Sequence, residues 1–205
     1  MKRIAGIIVG GLLLSMVPPP RYSIAAQSKQ NQTKPELQGR TARDPRAATA
    51  ALAKQVRHEL VTLPYYDVFD WLEGEVRPDA TVVLRGAVTR PTTRSDAEKR
   101  VKSIESVSKV VNQIEVLPVS QFDDDIRRQV YRAIFKFDSP LFMYGVRAVP
   151  PIHIIVKGGR VTLKGIVRND MDRQLAETYA RQVPNVFEVK NQLAVENPRS
   201  TESKR

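Results

Sequence analysis

The sequence predicts an α+β protein built from two tandem αββαβ sandwiches, each with a small three-stranded mixed sheet packed against two helices. An internal repeat is the first observation behind this fold class, because residues 82–117 align with 161–196 without a gap and with many identities. The second is Gly158-Gly159 between two β-branched runs, a pattern typical of a tight hairpin. The third is a set of apolar stripes with helical spacing. Such long-period self-similarity indicates tandem small domains.

The chain begins with the pattern of an export signal, which we assign to residues 1–25. Lys2 and Arg3 precede an uncharged apolar run, and Ser23-Ile24-Ala25 offers a small-x-small cleavage site. The apolar run is shorter than the roughly 20 residues that a membrane span needs. We therefore expect export to a bacterial periplasm with cleavage of the signal, and an uncleaved N-terminal anchor is the alternative.

Residues 26–46 and 198–205 are polar and charged with few apolar side chains, so we predict a disordered linker and a disordered tail. Together with the signal, these segments hold most of the formal charge of +11. The basicity therefore does not indicate a nucleic-acid partner. The sequence contains no cysteine, which excludes disulfides, thiolate zinc ligation and a lipidated N-terminal cysteine.

The first domain is predicted to span 47–119. It opens with an amphipathic helix, and an aromatic-rich strand follows in the segment YYDVFDWLEGEV. A turn at Arg77-Pro78-Asp79 leads to the strand TVVLRGAVT, and a second helix and the strand KVVNQIEVL complete the αββαβ order. The apolar stripes of the two helices are Leu52, Val56, Leu60 and Leu63, and then Ala97, Val101, Ile104 and Val107.

The second domain, predicted over 120–197, repeats this order. Asp123, Asp124 and Asp125 stand at the start of its opening helix, where negative charge opposes the positive end of the helix dipole. Asn169 or Asp170 is available to cap its second helix. The stripe of the opening helix is Ile126, Val130, Ala133, Ile134 and Phe137, and that of the second is Leu175, Ala176, Tyr179, Ala180 and Val183.

Two residue types that are unusual inside strands, a glycine and an asparagine, occur at matching positions in both repeats and need a structural explanation. A glycine inside a strand costs about 0.5–1 kcal/mol relative to alanine, so Gly86 and Gly165 indicate a neighbour too close for a Cβ. We expect that neighbour to be a helix lying over the sheet, and a ligand touching the backbone is the alternative. Asn112 and Asn191 interrupt the apolar face of the last strands. We expect from them a buried backbone hydrogen bond or a small bulge.

The duplicated pattern VVLRGAV…KVVNQIEV and VTLKGIV…FEVKNQLAV resembles the BON domain, a small envelope module named from osmotic-stress and nodulation proteins. The resemblance covers everything except the signal, the linker and the tail. It implies an αββαβ sandwich, a periplasmic or outer-membrane-facing location, no catalysis, no cofactor and, in some members, attachment to anionic phospholipid. The aromatic, acidic first strand of the first domain departs from its aliphatic counterpart in the second.

The sequence gives little support for an enzyme. His58 and His153 are the only histidines, and neither has the spacing of a metal ligand. We expect His58 on a helix surface and His153 in a strand. No G-x-S-x-G, phosphate loop or dinucleotide fingerprint is present in the sequence. We therefore predict no catalytic residues, no metal site and no cofactor.

Aromatic clusters and basic residues supply the candidate binding surfaces. One cluster is Tyr65, Tyr66, Phe69 and Trp71; the other is Phe135, Phe137, Leu141, Phe142, Met143 and Tyr144. We expect both to seal the domain cores and the seam between the domains, and a membrane-interface role is the alternative. The candidate residues for binding lipid headgroups lie around the second hairpin and are Arg147, Lys157, Arg160, Lys164 and Arg168.

These observations lead to two main hypotheses for function, and transport of a small ligand is a third possibility. The first is a non-enzymatic periplasmic protein that associates with an anionic phospholipid or envelope surface and supports envelope integrity or stress tolerance. The second is an adaptor that binds a protein or cell-wall partner in the envelope. Neither hypothesis specifies an oligomeric state.

Overall fold

The computed structural model describes residues 45–147 and 149–196. The predicted signal, most of the linker and the tail lie outside these residues. Repeat 1 (45–118) contains α1 (Pro45–Val61), β1 (Trp71–Val76), β2 (Thr81–Val88), α2 (Pro91–Lys102) and β3 (Lys109–Val116). Repeat 2 (120–196) contains α3 (Gln121–Ile134), the short α4 (Phe142–Gly145), β4 (Ile152–Lys157), β5 (Arg160–Val167), α5 (Asp170–Arg181) and β6 (Glu188–Val195).

Each repeat has a three-stranded mixed sheet. The central strand, β2 or β5, pairs antiparallel with the strand before it and parallel with the strand after it. The inner face of each sheet packs against two helices and forms a separate apolar core. The prediction of two tandem α+β units is therefore confirmed.

The residues of the helical stripes pack on the cores as predicted, except Phe137 after α3. The last members of the other stripes, Leu63, Ile104, Val107 and Val183, also lie just beyond the ends of their helices but still contact the cores. Helix α3 ends at Ile134, and Phe137 lies beyond it with 87% of its surface exposed. The ring of Phe137 contacts that of Phe142, at 5.3 Å between centroids, instead of the core. The predicted place of Phe137 in the stripe was wrong because the chain has already entered the connection to β4. This connection also contains α4, which helical periodicity did not predict.

Gly86 and Gly165 lie in equivalent settings, but a helix is not their close neighbour. Their φ angles are +132° and +124°, and a Cβ on either would lie 1.9 Å from a carbonyl oxygen of the preceding strand segment. That oxygen belongs to Trp71 in repeat 1 and to Pro151 in repeat 2. The expectation of a helix was wrong because the hairpin backbone itself approaches at these points. Gly74 is the glycine whose Cβ would meet a helix, at 2.6 Å from Val56.

The matched asparagines tie the last strand of each repeat to its second helix. Nδ2 of Asn191 donates to the carbonyl oxygen of Arg173 (2.8 Å) and to Glu177 (3.1 Å). Asn112 makes the equivalent bonds to Arg94 (3.2 Å) and Glu98 (2.9 Å). Strand pairing continues through both positions without a bulge. The expected bond to the backbone is therefore present, and it joins strand to helix.

The acidic start of α3 has a larger role than opposing the helix dipole. Ser120 is the N-cap residue, because its side chain accepts a hydrogen bond from the amide of Asp123. The buried carboxylate of Asp123 accepts from the amides of Gly158 (2.9 Å) and Gly159 (2.8 Å). These bonds hold the turn of the β4–β5 hairpin against the helix.

Candidate functional site

The two repeats meet along a seam formed by the connection between α1 and β1 and by strand β4. The side chain of Val68 packs in the core of repeat 2. The amide of Ile154 in β4 donates to the carbonyl oxygen of Val68 at 2.8 Å. Strand β1 begins only at Trp71, so the aromatic residues before it lie in the connection. The prediction that this aromatic cluster seals the seam is right for Tyr66, Phe69 and Trp71, which pack against repeat 2. It was wrong for Tyr65, which is 68% exposed.

His153 lies at the centre of the seam. Only 3% of its surface is exposed, and its ring lies 5.4 Å from the ring of Tyr66 and 5.1 Å from that of Trp71. Burial in this aromatic setting lowers the pKa of His153. Its Nδ1 atom has no hydrogen-bond partner in the described part of the chain. The expected position of His153 in a strand was right, but no local pattern predicted that both repeats would bury this residue.

Asp70 is a second buried titratable group next to the seam. One carboxylate oxygen accepts hydrogen bonds from the amide of Thr89 (2.6 Å) and from its hydroxyl (3.0 Å). The other oxygen is buried and has no partner among the described residues. Burial raises the pKa of Asp70 above its usual range. The bonds join the start of β1 to the end of β2.

Two of the basic candidates bridge the repeats. Nζ of Lys164 lies 3.0 Å from the carboxylate of Glu73 and 5.4 Å from the centre of the Trp71 ring. Lys157 makes an ion pair with Glu115 of β3. Both ammonium groups have a carboxylate partner in repeat 1 and therefore link the two repeats. A ligand would have to compete with these carboxylates for the same charges.

The other three basic candidates lie in different settings. Arg160 is the cross-strand partner of Lys157 and pairs with Glu188 at 3.4 Å. The guanidinium of Arg168 lies 5.8 Å from the centre of the Tyr144 ring. Arg147 is exposed and makes no ion pair or hydrogen bond within the described ranges. The structure therefore divides the five candidates into the two residues near α4 and the three held by carboxylates.

The second aromatic cluster is also divided. Phe135, Leu141 and Tyr144 are buried, as expected for residues that seal the core. Phe137 and Met143 are exposed, so the expectation was wrong for them. Val146, which sequence reasoning did not select, is 57% exposed beside them in the chain. The connection between α3 and β4 therefore exposes three large apolar side chains, Phe137, Met143 and Val146, which together we call the loop surface.

A cleft of about 490 Å³ opens along the seam. Its walls include Arg57, Leu60 and Trp71 from repeat 1 and Arg147, His153 and Ile166 from repeat 2. Sequence reasoning missed this cleft because no segment contains it and its walls come together only when the repeats pack. The excess of aromatic residues at 65–71 was the one available sign.

Within residues 45–147 and 149–196, no group of three or more histidine or acidic side chains is arranged to hold a metal ion. None of the helices in these ranges has the length and apolar character needed to span a membrane. The arrangement of the described side chains offers surfaces and a cleft for binding.

Comparison with solved structures finds the C-terminal domain of CdsD, a structural protein of the type III secretion system of Chlamydia trachomatis. The identity is 11% and the TM-score 0.25, with 70% of this chain and 96% of that chain covered. A second CdsD structure has 12% identity and a TM-score of 0.26, with 75% of this chain and 96% of that chain covered. Comparison with curated protein sequences gives no match.

The model of the BON domain family matches residues 48–118 and 123–197. These two segments coincide with the two repeats and cover most of the sequence. The family is of a non-catalytic binding type and suggests an envelope-associated protein. The chain therefore belongs to the BON domain family and carries two tandem BON domains.

Proposed function

We propose that the protein is an exported, non-enzymatic binding protein of the bacterial envelope that associates with anionic phospholipid surfaces through repeat 2. One observation carries this proposal: the loop surface presents large apolar side chains to solvent near Arg147 and Arg168, and neither arginine forms an ion pair with a carboxylate of the described residues. The apolar side chains and Arg147 lie on the connection between α3 and β4, and Arg168 at the end of β5 contacts this connection through Tyr144.

The apolar part supports contact with a bilayer. Phe137 is 87% exposed and Met143 is 60% exposed, while the buried residues of the same connection anchor it to the core. Clustered exposed apolar side chains mark interaction sites, and aromatic rings favour the interfacial region of a membrane. Transfer of these side chains out of water would favour association without any change in the sandwich.

The charged part supports selection of anionic lipid. Arg147 directly follows Val146, and the backbone amide of Arg168 donates to the hydroxyl of Tyr144 at 2.9 Å. Each basic residue close to an anionic surface contributes about 1 kcal/mol of binding free energy. Lys157, Arg160 and Lys164 contribute less because their carboxylate partners offset their charge. We therefore assign the headgroup contacts to Arg147 and Arg168.

A different surface favours the adaptor hypothesis. The rings of Phe122 and Phe187 lie 6.1 Å apart, and Phe187 is 72% exposed. The nearby cations Lys157 and Arg160 are paired with carboxylates. An apolar surface with balanced charge suits a protein or cell-wall partner better than an anionic bilayer.

Co-sedimentation with vesicles tests the proposal. At low salt, the protein should pellet with phosphatidylglycerol vesicles and stay in solution with phosphatidylcholine vesicles. The double variant Phe137→Ser/Met143→Ser should lose this binding, and Arg147→Gln/Arg168→Gln should weaken it. Phe187→Ser is the control because it removes another largely exposed ring, 72% against 87% for Phe137, from a different surface.

Equal pelleting with both lipids would contradict the proposal. Loss of binding in Phe187→Ser but not in Phe137→Ser/Met143→Ser would also contradict it, and would place the interaction on the surface that favours the adaptor hypothesis.

A further inference from the structure

We infer that the cleft along the seam is a second binding site, which holds one molecule of an anionic amphiphile. Its carboxylate or phosphate head binds Arg57 and Arg147, and its aliphatic chain lies along the apolar wall. This site goes beyond the membrane association proposed above, because it takes a single molecule from solution.

Two guanidinium groups define the anion site. Arg57 extends from α1 and Arg147 from the connection after α4, so each repeat supplies one of them to the same cleft. Both side chains are exposed, and neither forms an ion pair or hydrogen bond with any residue that the structure describes. Arginine binds carboxylates and phosphates through two parallel hydrogen bonds. Uncommitted guanidinium groups on two walls of one cleft select an anion.

The acidic residue of the cleft does not cancel this charge. Glu73 lines the same cleft, but its carboxylate accepts a hydrogen bond from Nε1 of Trp71 and pairs with Lys164 at 3.0 Å. The hydrogen bond from Trp71 and the neighbouring ammonium group lower the pKa of Glu73. His153 stays neutral because burial lowers its pKa. The unpaired charge in the cleft is therefore the positive charge of Arg57 and Arg147.

The remaining wall is apolar. Leu60 and Val61 of α1 line the cleft together with Val149 and Ile166 of repeat 2, and Ile166 is 45% exposed. The cleft volume of about 490 Å³ lies within the range of roughly 300–1,000 Å³ that is typical of small-molecule sites. A neutral hydrocarbon would leave the guanidinium groups without a partner, and a cation would be repelled. An amphiphile with an anionic head can pair its head with the two arginines and bury its aliphatic chain against the apolar wall.

Trp71 is the only tryptophan in the sequence and lines this cleft, so its fluorescence reports occupancy. The full chain is titrated with laurate and with dodecyl phosphate, each below its critical micelle concentration. Dodecanol and dodecyltrimethylammonium are the neutral and cationic controls. A saturable emission change with the anions, and a much weaker one with both controls, is the expected result. Binding of laurate but not of dodecyl phosphate would indicate that the natural ligand is a fatty acid. Binding of dodecyl phosphate but not of laurate would indicate a product of phospholipid breakdown.

Three variants locate the site. Arg57→Gln and Arg147→Gln should each weaken binding by about tenfold or more, and Ile166→Asn should weaken it through the apolar wall. Arg132→Gln is the matched control, because Arg132 is exposed on α3 and does not line the cleft. Dodecanol binding as tightly as laurate, no saturable change, or unchanged binding in both cleft arginine variants would overturn the inference.

Arg147 serves both proposed sites, so Arg57 separates them. Arg57→Gln should lose laurate binding and still pellet with phosphatidylglycerol vesicles. Phe137→Ser/Met143→Ser should lose the vesicles and still bind laurate. If vesicle binding fails but laurate binds, the proposed membrane association is contradicted and the cleft site is not. If laurate fails to bind but the protein pellets with vesicles, the cleft site is contradicted and the membrane association is not.

Discussion

Gly165 provides a sharp test of how the repeated hairpin is built. An alanine at this position would adopt a φ near +124°, and its Cβ would lie 1.9 Å from the carbonyl oxygen of Pro151. That oxygen also accepts a hydrogen bond from the amide of Ile166 at 2.9 Å. The backbone must therefore move at the end of the hairpin that lies farthest from its turn.

The expected cost combines two terms. A non-glycine residue at such a φ costs about 1–3 kcal/mol. Displacing the carbonyl of Pro151 weakens a hydrogen bond with a net value of about 0.5–1.5 kcal/mol and strains the pairing of β4 with β5. Gly165→Ala should therefore lower the free energy of unfolding by about 1.5–4.5 kcal/mol, a large part of the 5–15 kcal/mol typical of a folded protein. Gly86→Ala should behave alike, because Trp71 supplies the same contact.

Urea unfolding followed by circular dichroism measures these values, and Gly158→Ala is the matched control. Gly158 also has a positive φ, of +58°, but a Cβ there would meet nothing within 4 Å. Its substitution should cost only about 1 kcal/mol. The reasoning is refuted if Gly165→Ala destabilises no more than Gly158→Ala, because the contact with the neighbouring strand would then have no energetic effect.

The hairpin turn and the seam allow three more tests. Asp123→Ala removes the acceptor of two glycine amides and should lower the free energy of unfolding by about 2–3 kcal/mol in urea, whereas the exposed Asp125→Ala should change it by less than about 0.5 kcal/mol. Val68→Ala leaves a cavity in repeat 2 although the residue belongs to repeat 1, so amide hydrogen exchange in β4 should accelerate; unchanged exchange in β4 would argue against the interlocked seam. The folded pKa of His153 is depressed below its ordinary 6.5, so its contribution to stability is present above that pH and lost as pH falls through the folded value. His153→Phe should therefore lose less stability than the natural chain between pH 7 and pH 5, and parallel losses would contradict the assignment. The raised pKa of Asp70 acts in both proteins and cancels in this comparison.

Much of the fold could be predicted because its determinants are local. Apolar spacing placed the helices, and the glycine pair placed the second hairpin, since each pattern depends on residues close together in the chain. The duplication then allowed each repeat to support the assignment of the other. Phe137 shows where this reasoning ends, because its spacing continues a helical stripe that the backbone has already left.

The candidate site could be predicted only in part because it depends on contacts between distant residues. Lys164 looked like a free strand cation, and its partner Glu73 lies in the other repeat. Asp123 looked like a charge at a helix start, and its hydrogen bonds go to a turn beyond the next connection. Arg57 had no feature to distinguish it from other helix-surface arginines. Only the packing of the repeats places it in the same cleft as Arg147.

The two repeats share a sandwich and differ in the connection between their first helix and first strand. In repeat 1 this connection inserts Val68 into the neighbouring core; in repeat 2 it is longer and presents Phe137 and Met143 to solvent. Connections tolerate change that a sheet does not, and binding residues therefore concentrate on them. A single repeat would lose the cleft, whose walls require α1 and β1 from one copy and β4 and β5 from the other. Duplication thus supplies a site that neither sandwich has alone.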